Sequence, residues 1–284
     1  MTPPHPGNTR ERRIEEPTNL WIVHPVGRAL LPWFVARGIS ANAVSIGGLA
    51  IGLGAAAAYY SWASVAMCLP GLVLTIGWLI ADGLDGMVAR ATGTASPLGR
   101  FLDGLCDHGV FVAIYLALAI SVGTAEGWTL AFVAGACHAV QANLYEGERT
   151  RFHKRRDGVP ADPIVPAGNP LMRFYDGFGA SIDRAARAFD NALADSPAPR
   201  ALADRYVAAA IPPMRLMCLL SANTRVQAIF IACVVGDPRL FWWFEIVALT
   251  AVLIVGFGWH RAVEARLLRR PIQDQIFNKD FTRP

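Results

Sequence analysis

Charge is scarce in this chain. Only 17% of its 284 residues are Asp, Glu, Lys or Arg, below the rough quarter of an ordinary soluble domain. A solvated surface all round is therefore excluded. Cysteine is equally uninformative. Cys68, Cys106, Cys137, Cys218 and Cys233 stand singly with no CxxC, and an odd scattered set of five fits neither a disulfide framework nor a zinc site. There is no P-loop, no HExxH and no GxSxG, which removes three common routes to phosphate binding, metalloproteolysis and acyl transfer. Internal repeats of the transporter kind are absent too. Met1–Thr18 is polar and Pro-rich, without the apolar core of a signal peptide, so insertion rests on internal helices.

What is abundant is apolar sequence: 54% hydrophobic residues and a mean hydropathy of +0.35. The expected fold is all-α, a polytopic membrane protein. The pattern predicts a disordered cytosolic tail over 1–18 and an interfacial amphipathic helix over 19–38, which carries Trp21 and Trp33 and is broken by Pro25 and Pro32. A six-helix transmembrane domain follows over 39–270, then a cytosolic tail over 271–284. The spans fall at about Ser40–Trp62, Ala63–Arg90, Gly99–Val122, Trp128–Tyr145, Leu216–Val235 and Leu240–Trp259. Gly48 and Gly52 form a GxxxG, read as close helix packing. A polar insert over 157–205 follows the fourth helix. Leu171, Phe174, Tyr175, Phe178, Ile182, Phe189 and Leu193 recur in it at helical spacing, which predicts an amphipathic helix lying on the membrane or on another subunit. The charged run Glu146–Arg156 reads mainly as a solvated anchor at headgroup level. Six helices put both termini on one side, and the loops of the other side hold one basic residue, Arg239, of the chain's 26. That asymmetry makes the terminal side cytosolic. The expected location is a bacterial inner membrane with the active site facing the cytosol.

Against this apolar background, Ala81–Gly109 carries Asp82, Asp85, Asp103 and Asp107. A charged side chain at membrane depth costs roughly 2.5–3.5 kcal/mol on insertion scales, and four of one sign also repel. Asp82 and Asp85, three apart, share one helix face, and Asp103 and Asp107, four apart, share another. The polar break Ala91–Pro97 lets a helix, a turn and an antiparallel helix bring the two pairs together. Arg90 and Arg100 are too few to pair four acids. Hard oxygen ligands in that arrangement suit Mg²⁺, Mn²⁺ or Ca²⁺. Two such ions about 3.5–4 Å apart can clamp a phosphate during in-line displacement. Gly86 and Ala89 leave room beside the acids, and Arg90 can meet phosphate charge.

The full pattern, Asp82-x2-Asp85-Gly86-x2-Ala89-Arg90-x8-Gly99-x3-Asp103-x3-Asp107, resembles the signature of the CDP-alcohol phosphotransferase family at all eight positions. The resemblance implies an integral membrane enzyme of phospholipid biosynthesis. It would transfer a phosphatidyl (substituted phosphoryl) group from a CDP-linked donor, most often CDP-diacylglycerol, to the hydroxyl of a small polar alcohol, with release of CMP. In family terms Asp82, Asp85, Asp103 and Asp107 hold two divalent ions, Mg²⁺ or Mn²⁺, and Asp107 also deprotonates the acceptor. Asp82, Asp85, Gly86, Ala89, Arg90 and Gly99 would surround the nucleotide. The stretch Ser40–Ser45 departs from the family's Pro-Asn-x-x-Thr-like start by lacking the proline. Family members are often homodimers, which exposed helix faces here permit; nothing points to nucleic acid.

The remaining candidates concern the acceptor. Arg149, Arg151, Arg215 and Arg225 are placed to hold an anionic alcohol. Arg225, some 15 Å into its helix at about 1.5 Å per residue, is expected to face the aspartates or a bound phosphate. His108 and His138 read as core or interface residues. Two other functions fit the acids: a CDP-aminoalcohol:diacylglycerol phosphotransferase, and, in another class, a cation transporter lined by carboxylates. CMP release distinguishes the enzymes from the transporter.

Overall fold

A computed structural model of the protein describes residues 11–161 and 186–269. Every regular element among them is helical. A π-helical turn, Asn19–Val23, leads into α1, His24–Ala36. There follow α2 (Ala41–Tyr60), α3 (Val65–Thr92), α4 (Pro97–Val122) and α5 (Ala125–Arg156). Residues 186–194 form α6. Then come α7 (Pro199–Met217), α8 (Ala222–Val235), α9 (Arg239–Trp243) and α10 (Thr250–Leu268), the last two joined through a π-helical stretch, Phe244–Leu249. The chain divides into two compact units. One comprises Glu15–Gln141 and Leu219–Ala251; the other comprises Met1–Ile14, Ala142–Cys218 and Val252–Pro284.

In the first unit the helix ends follow local chemistry. The Ser40 hydroxyl accepts from the Ala43 N–H at 3.2 Å and so caps α2. Ser96 does the same for α4, accepting from Gly99 N–H at 3.0 Å, with Pro97 at the first helical position. α3 ends on Gly93, at φ 67°, a left-handed conformation that suits glycine. α2 packs against both α3 and α4. Small residues set how closely: a Cβ on Gly48 would lie 3.1 Å from Ala81 Cβ, and one on Gly52 would lie 3.0 Å from Val110 Cβ and nearer still to both Val110 methyls. Tyr59, Trp78, Val110, Ile114, Leu118, Ile229, Phe241 and Trp242 fill the core behind this seam. The π-turn and α1 expose Trp21, Ile22, Val26, Leu30, Trp33 and Val35, an apolar strip of the kind that lies in a membrane interface.

Among the described residues, four helical stretches are long and apolar enough to cross a membrane: Ala41–Tyr60, Val65–Thr92, Phe101–Val122 and Arg239–Leu268. A fifth is added if Pro199–Leu220 and Ala222–Val235 count as one interrupted span. Six were expected. The fourth expected span exists as helix within α5, but Gln141, Asn143 and the charged run after it dilute its apolar stretch. The fifth is cut at Ser221, which leaves α8 with 14 residues, short of the roughly 20 a span needs.

Three further expectations change. Residues 11–18, assigned to a disordered tail, are ordered here, with Ile14 and Glu16 buried. The insert's amphipathic helix falls mostly outside the described residues. Its last part, α6, packs on helices of its own unit: Phe189 lies 5.0 Å, centroid to centroid, from Tyr206. Most of all, the charged run ending α5 is not simply solvated. Arg155 is fully buried and grips Asp190 through two nitrogens at 2.7 and 2.9 Å, while a third meets Glu264. Glu148 accepts from Arg151 and meets His260 Nδ1, each at 2.6 Å, with Arg261 also in contact. Burial alone would raise the Glu148 pKa. The His260 hydrogen bond and the Arg261 and Arg151 charges outweigh that and hold it below the usual carboxylate range. The stability this supplies is present above the ordinary carboxylate pKa and is lost as pH falls through the depressed value.

A second buried network lies in the first unit. Arg225 Nε donates to Glu245 Oε1 at 2.8 Å, one Nη to Gln141 Oε1 at 2.8 Å, and the other to the Leu220 carbonyl. Gln141 in turn donates to the Glu245 carbonyl and to Thr250 Oγ1, each at 3.0 Å. Removing one partner of such a pair leaves an uncompensated charge, at about 3–5 kcal/mol. Arg225→Ala should therefore lower thermal stability in detergent far more than the paired change Arg225→Met with Glu245→Leu. Gly52→Val should also lower it, by about 1–3 kcal/mol through overpacking against Val110, as read from the unfolding midpoint.

Candidate active site

The four aspartates sit on the last turns of α3 and the first turns of α4, which the capped, Gly-terminated break at 93–96 joins. The carboxylates of Asp82, Asp85 and Asp103 each offer an oxygen, and these oxygens lie within 4.8 Å of one another. Asp107 stands one turn after Asp103 on the same face of α4. Asp85 is the buried member, and Asp82, Asp103 and Asp107 are partly open. At an effective dielectric of about 20, two unit charges at 4.8 Å repel by about 3.5 kcal/mol. Arg90, on the same helix as the first pair, brings one positive charge against four negative ones. Its guanidinium lies over Gly86, where a Cβ would approach its Nη1 to 3.2 Å.

Glu148, His260 and Glu264 of the other unit also converge within 4.8 Å. There Arg151 and Arg261 pair with Glu148, and Arg155 and Arg261 pair with Glu264. The charge is balanced from within the protein. Asp85 instead shares its surroundings with two other carboxylates, Asp82 and Asp103. Convergent hard oxygens of this kind fit a divalent cation.

The other sequence candidates divide. Gly86, Ala89 and Arg90 lie on α3 beside the acids. Gly99 lies at the start of α4, where an added Cβ would meet Ser96 Oγ at 3.2 Å and Asn42 Oδ1 at 3.4 Å. Arg225 does not face the aspartates as expected; its partners are Glu245 and Gln141. A core arginine needs a core acid, and Glu245, fully buried on the following helix, supplies it. Arg149, Arg151 and Arg215 belong to the other unit. Arg149 pairs with Glu146 at 3.0 Å and Arg151 with Glu148, and Arg215 is exposed near the end of α7. Arg151 also lines a polar cavity of about 270 Å³ with Asn143, Glu146, Thr150 and Lys154. His108 is exposed, with Nδ1 2.7 Å from the Gly104 carbonyl; His138 is buried beside the Tyr115 hydroxyl. Sequence reasoning did not single out Ser45, whose hydroxyl lies 2.5 Å from Asp85 Oδ2.

Comparison with known proteins bears on the same region. Residues 39–164 match the family model described as CDP-alcohol phosphatidyltransferase. A stretch of 138 residues is 34% identical to the archaetidylinositol phosphate synthase of Pyrococcus horikoshii, covering 49% of this chain and 68% of that protein. No solved structure matches. The acids, the glycines between them and the apolar helices that carry them lie inside the matched segment. The chain thus belongs to the CDP-alcohol phosphatidyltransferase family, as a multi-pass membrane transferase that moves a phosphatidyl group from a CDP-alcohol.

Proposed function

We propose that the enzyme transfers a phosphatidyl-type group from a CDP-linked lipid, CDP-diacylglycerol or a close analogue, to the hydroxyl of a small phosphorylated alcohol, with release of CMP. The observation that carries this reading is the convergence of three carboxylate oxygens within 4.8 Å, with a fourth carboxylate adjoining, at the ends of two apolar helices. Asp82, Asp85, Asp103 and Asp107 would hold two divalent ions. Bound there, Mg²⁺ or Mn²⁺ neutralises pyrophosphate charge and orients the phosphorus for in-line displacement.

The remaining chemistry belongs to the chain. Asp107 accepts the proton of the acceptor hydroxyl as the new P–O bond forms. The bond from that phosphorus to the bridging pyrophosphate oxygen breaks, and CMP leaves. Arg90, over Gly86, meets the departing phosphate. Gly86 and Ala89 keep the α3 face low enough for the nucleotide. The acceptor's own phosphate calls for cations, and the arginines expected there are Arg149, Arg151, Arg215 and Arg225. The Pyrococcus relative's name specifies archaetidylinositol phosphate as its product. Inositol phosphate is therefore the first acceptor to try. Arg225 and Arg151 leave this set because Glu245 and Glu148 engage them in buried pairs, so Arg149 and Arg215 remain. A cytosol-facing site in an inner membrane and a homodimer complete the proposal.

The test is CMP release by purified protein in detergent, with CDP-diacylglycerol, Mg²⁺ or Mn²⁺, and a panel of inositol phosphate, inositol, glycerol phosphate, serine and choline. The expected result is release with a phosphorylated acceptor, abolished by EDTA and reduced about 10²–10⁴-fold by Asp107→Asn. Full activity in Asp107→Asn removes that residue from the mechanism. Release only from a CDP-aminoalcohol with diacylglycerol reverses the assignment of donor and acceptor.

A further inference from the structure

The start of α2 forms part of the wall of the aspartate site. Ser40 caps the helix. Two residues on, Asn42 Oδ1 lies against Gly99 of α4, and Ser45, a further turn along, reaches Asp85 of α3. Ser45 and Asp85 are 6% and 5% exposed, so water competes little for their polar atoms. The Ser45 hydroxyl has two acceptors in range, Asp85 Oδ2 at 2.5 Å and the Ala41 carbonyl at 3.2 Å. It has one proton to give. The nearer, charged oxygen takes it, because a hydrogen bond to a carboxylate is shorter and roughly twice as strong as a neutral one.

This contact does what the other aspartates cannot. Asp82 and Asp103 repel the Asp85 carboxylate, and on its own that group would rotate about its Cβ–Cγ bond to separate the charges. A donor fixed on a neighbouring helix holds one oxygen and thereby sets the direction of the other. The donor is itself held: three residues further along the same face, Gly48 lets α2 approach Ala81 of α3. Groups that orient a metal ligand in this way commonly govern metal affinity by about 10–100-fold.

We infer that Ser45 is a positioning residue for the cation site, holding Asp85 Oδ2 so that the carboxylate is set for a divalent ion before the ion arrives. The inference rests on the metal reading above and adds to it a residue outside the eight-position aspartate signature, at the end of the Ser40–Ser45 helix start. Serine serves because its hydroxyl is the shortest donor that reaches across. Threonine keeps that hydroxyl and adds a methyl; alanine removes the donor and little else.

The experiment measures Mn²⁺ binding to the full-length protein in detergent by the loss of the free-ion electron paramagnetic resonance signal, without any substrate. It compares wild type, Ser45→Ala, Ser45→Thr and Asp85→Asn, each first checked for wild-type elution and unfolding midpoint. The expected result is a Kd for Mn²⁺ raised about 10–100-fold in Ser45→Ala and within a few-fold of wild type in Ser45→Thr. In turnover assays the Mn²⁺ concentration for half-maximal rate should rise in Ser45→Ala, with the rate at saturating Mn²⁺ largely recovered. Wild-type Mn²⁺ affinity in Ser45→Ala overturns the inference and leaves the metal site standing, provided Asp85→Asn has lost binding. Equal weakening in Ser45→Ala and Ser45→Thr overturns it too, because the hydroxyl is then not what matters. A wild type that binds no Mn²⁺ overturns the metal reading and this one together.

Discussion

Like-charge repulsion at the ends of two apolar helices is the constraint around which the first unit is built. Three carboxylate oxygens within 4.8 Å repel when ionised, so their neighbourhood has to hold them in place against that repulsion. The surroundings supply the rigidity. A Ser-capped, Pro-started α4 follows a Gly-terminated α3 with a short break between. α2 is pressed against both through glycine and alanine. The contrast with the rest of the molecule is instructive. Arg225 with Glu245, and Arg151, Arg155 and Arg261 with Glu148, Asp190 and Glu264, are buried charges that cancel within the fold. The aspartate cluster differs in what its members face: carboxylate oxygens of Asp82, Asp85 and Asp103 turn toward one another.

Much of the site was legible from local spacing. Intervals of three and four place acids on one helical face whatever the tertiary structure, and Gly93, Ser96 and Pro97 announce the break between the helices through their own backbone preferences. The seam at Gly48 and Gly52 was legible for the same reason. Long-range pairing was not. Arg225 looked functional because a lone arginine inside a span is expensive, but its acid lies 20 residues on and its amide partner 84 residues back. No periodicity records either. The charges ending α5 looked solvated because their partners, Asp190, His260, Arg261 and Glu264, arrive from two other helices. Ser45 was legible only as one polar residue in a helix start; its meaning depends on which helix it faces.

The difference in span number has the same origin. Hydropathy over a window treats Gln141 as a defect in an apolar helix. In the fold Gln141 is the hub that ties Arg225, the Glu245 carbonyl and Thr250 together, so its polarity is absorbed by neighbours. A helix whose polar side chains are satisfied internally can be long and well packed while scoring poorly as a lipid-facing cylinder. α5 is such a helix, 32 residues from Ala125 to Arg156.

Ser45, Gly48 and Gly52 fall at intervals of three and four along α2 and so form a single stripe. Its lower part sets the distance to α4 at Val110 and to α3 at Ala81, and its upper part touches the Asp85 carboxylate. The thickness of a side chain in that seam is therefore also a spacing parameter of the candidate site, about 10 Å from Gly52 to Ser45 along the helix axis. A substitution that tightens or loosens the packing there reaches the Asp85 contact as well, so in this fold stability and the placement of Asp85 run through the same three positions.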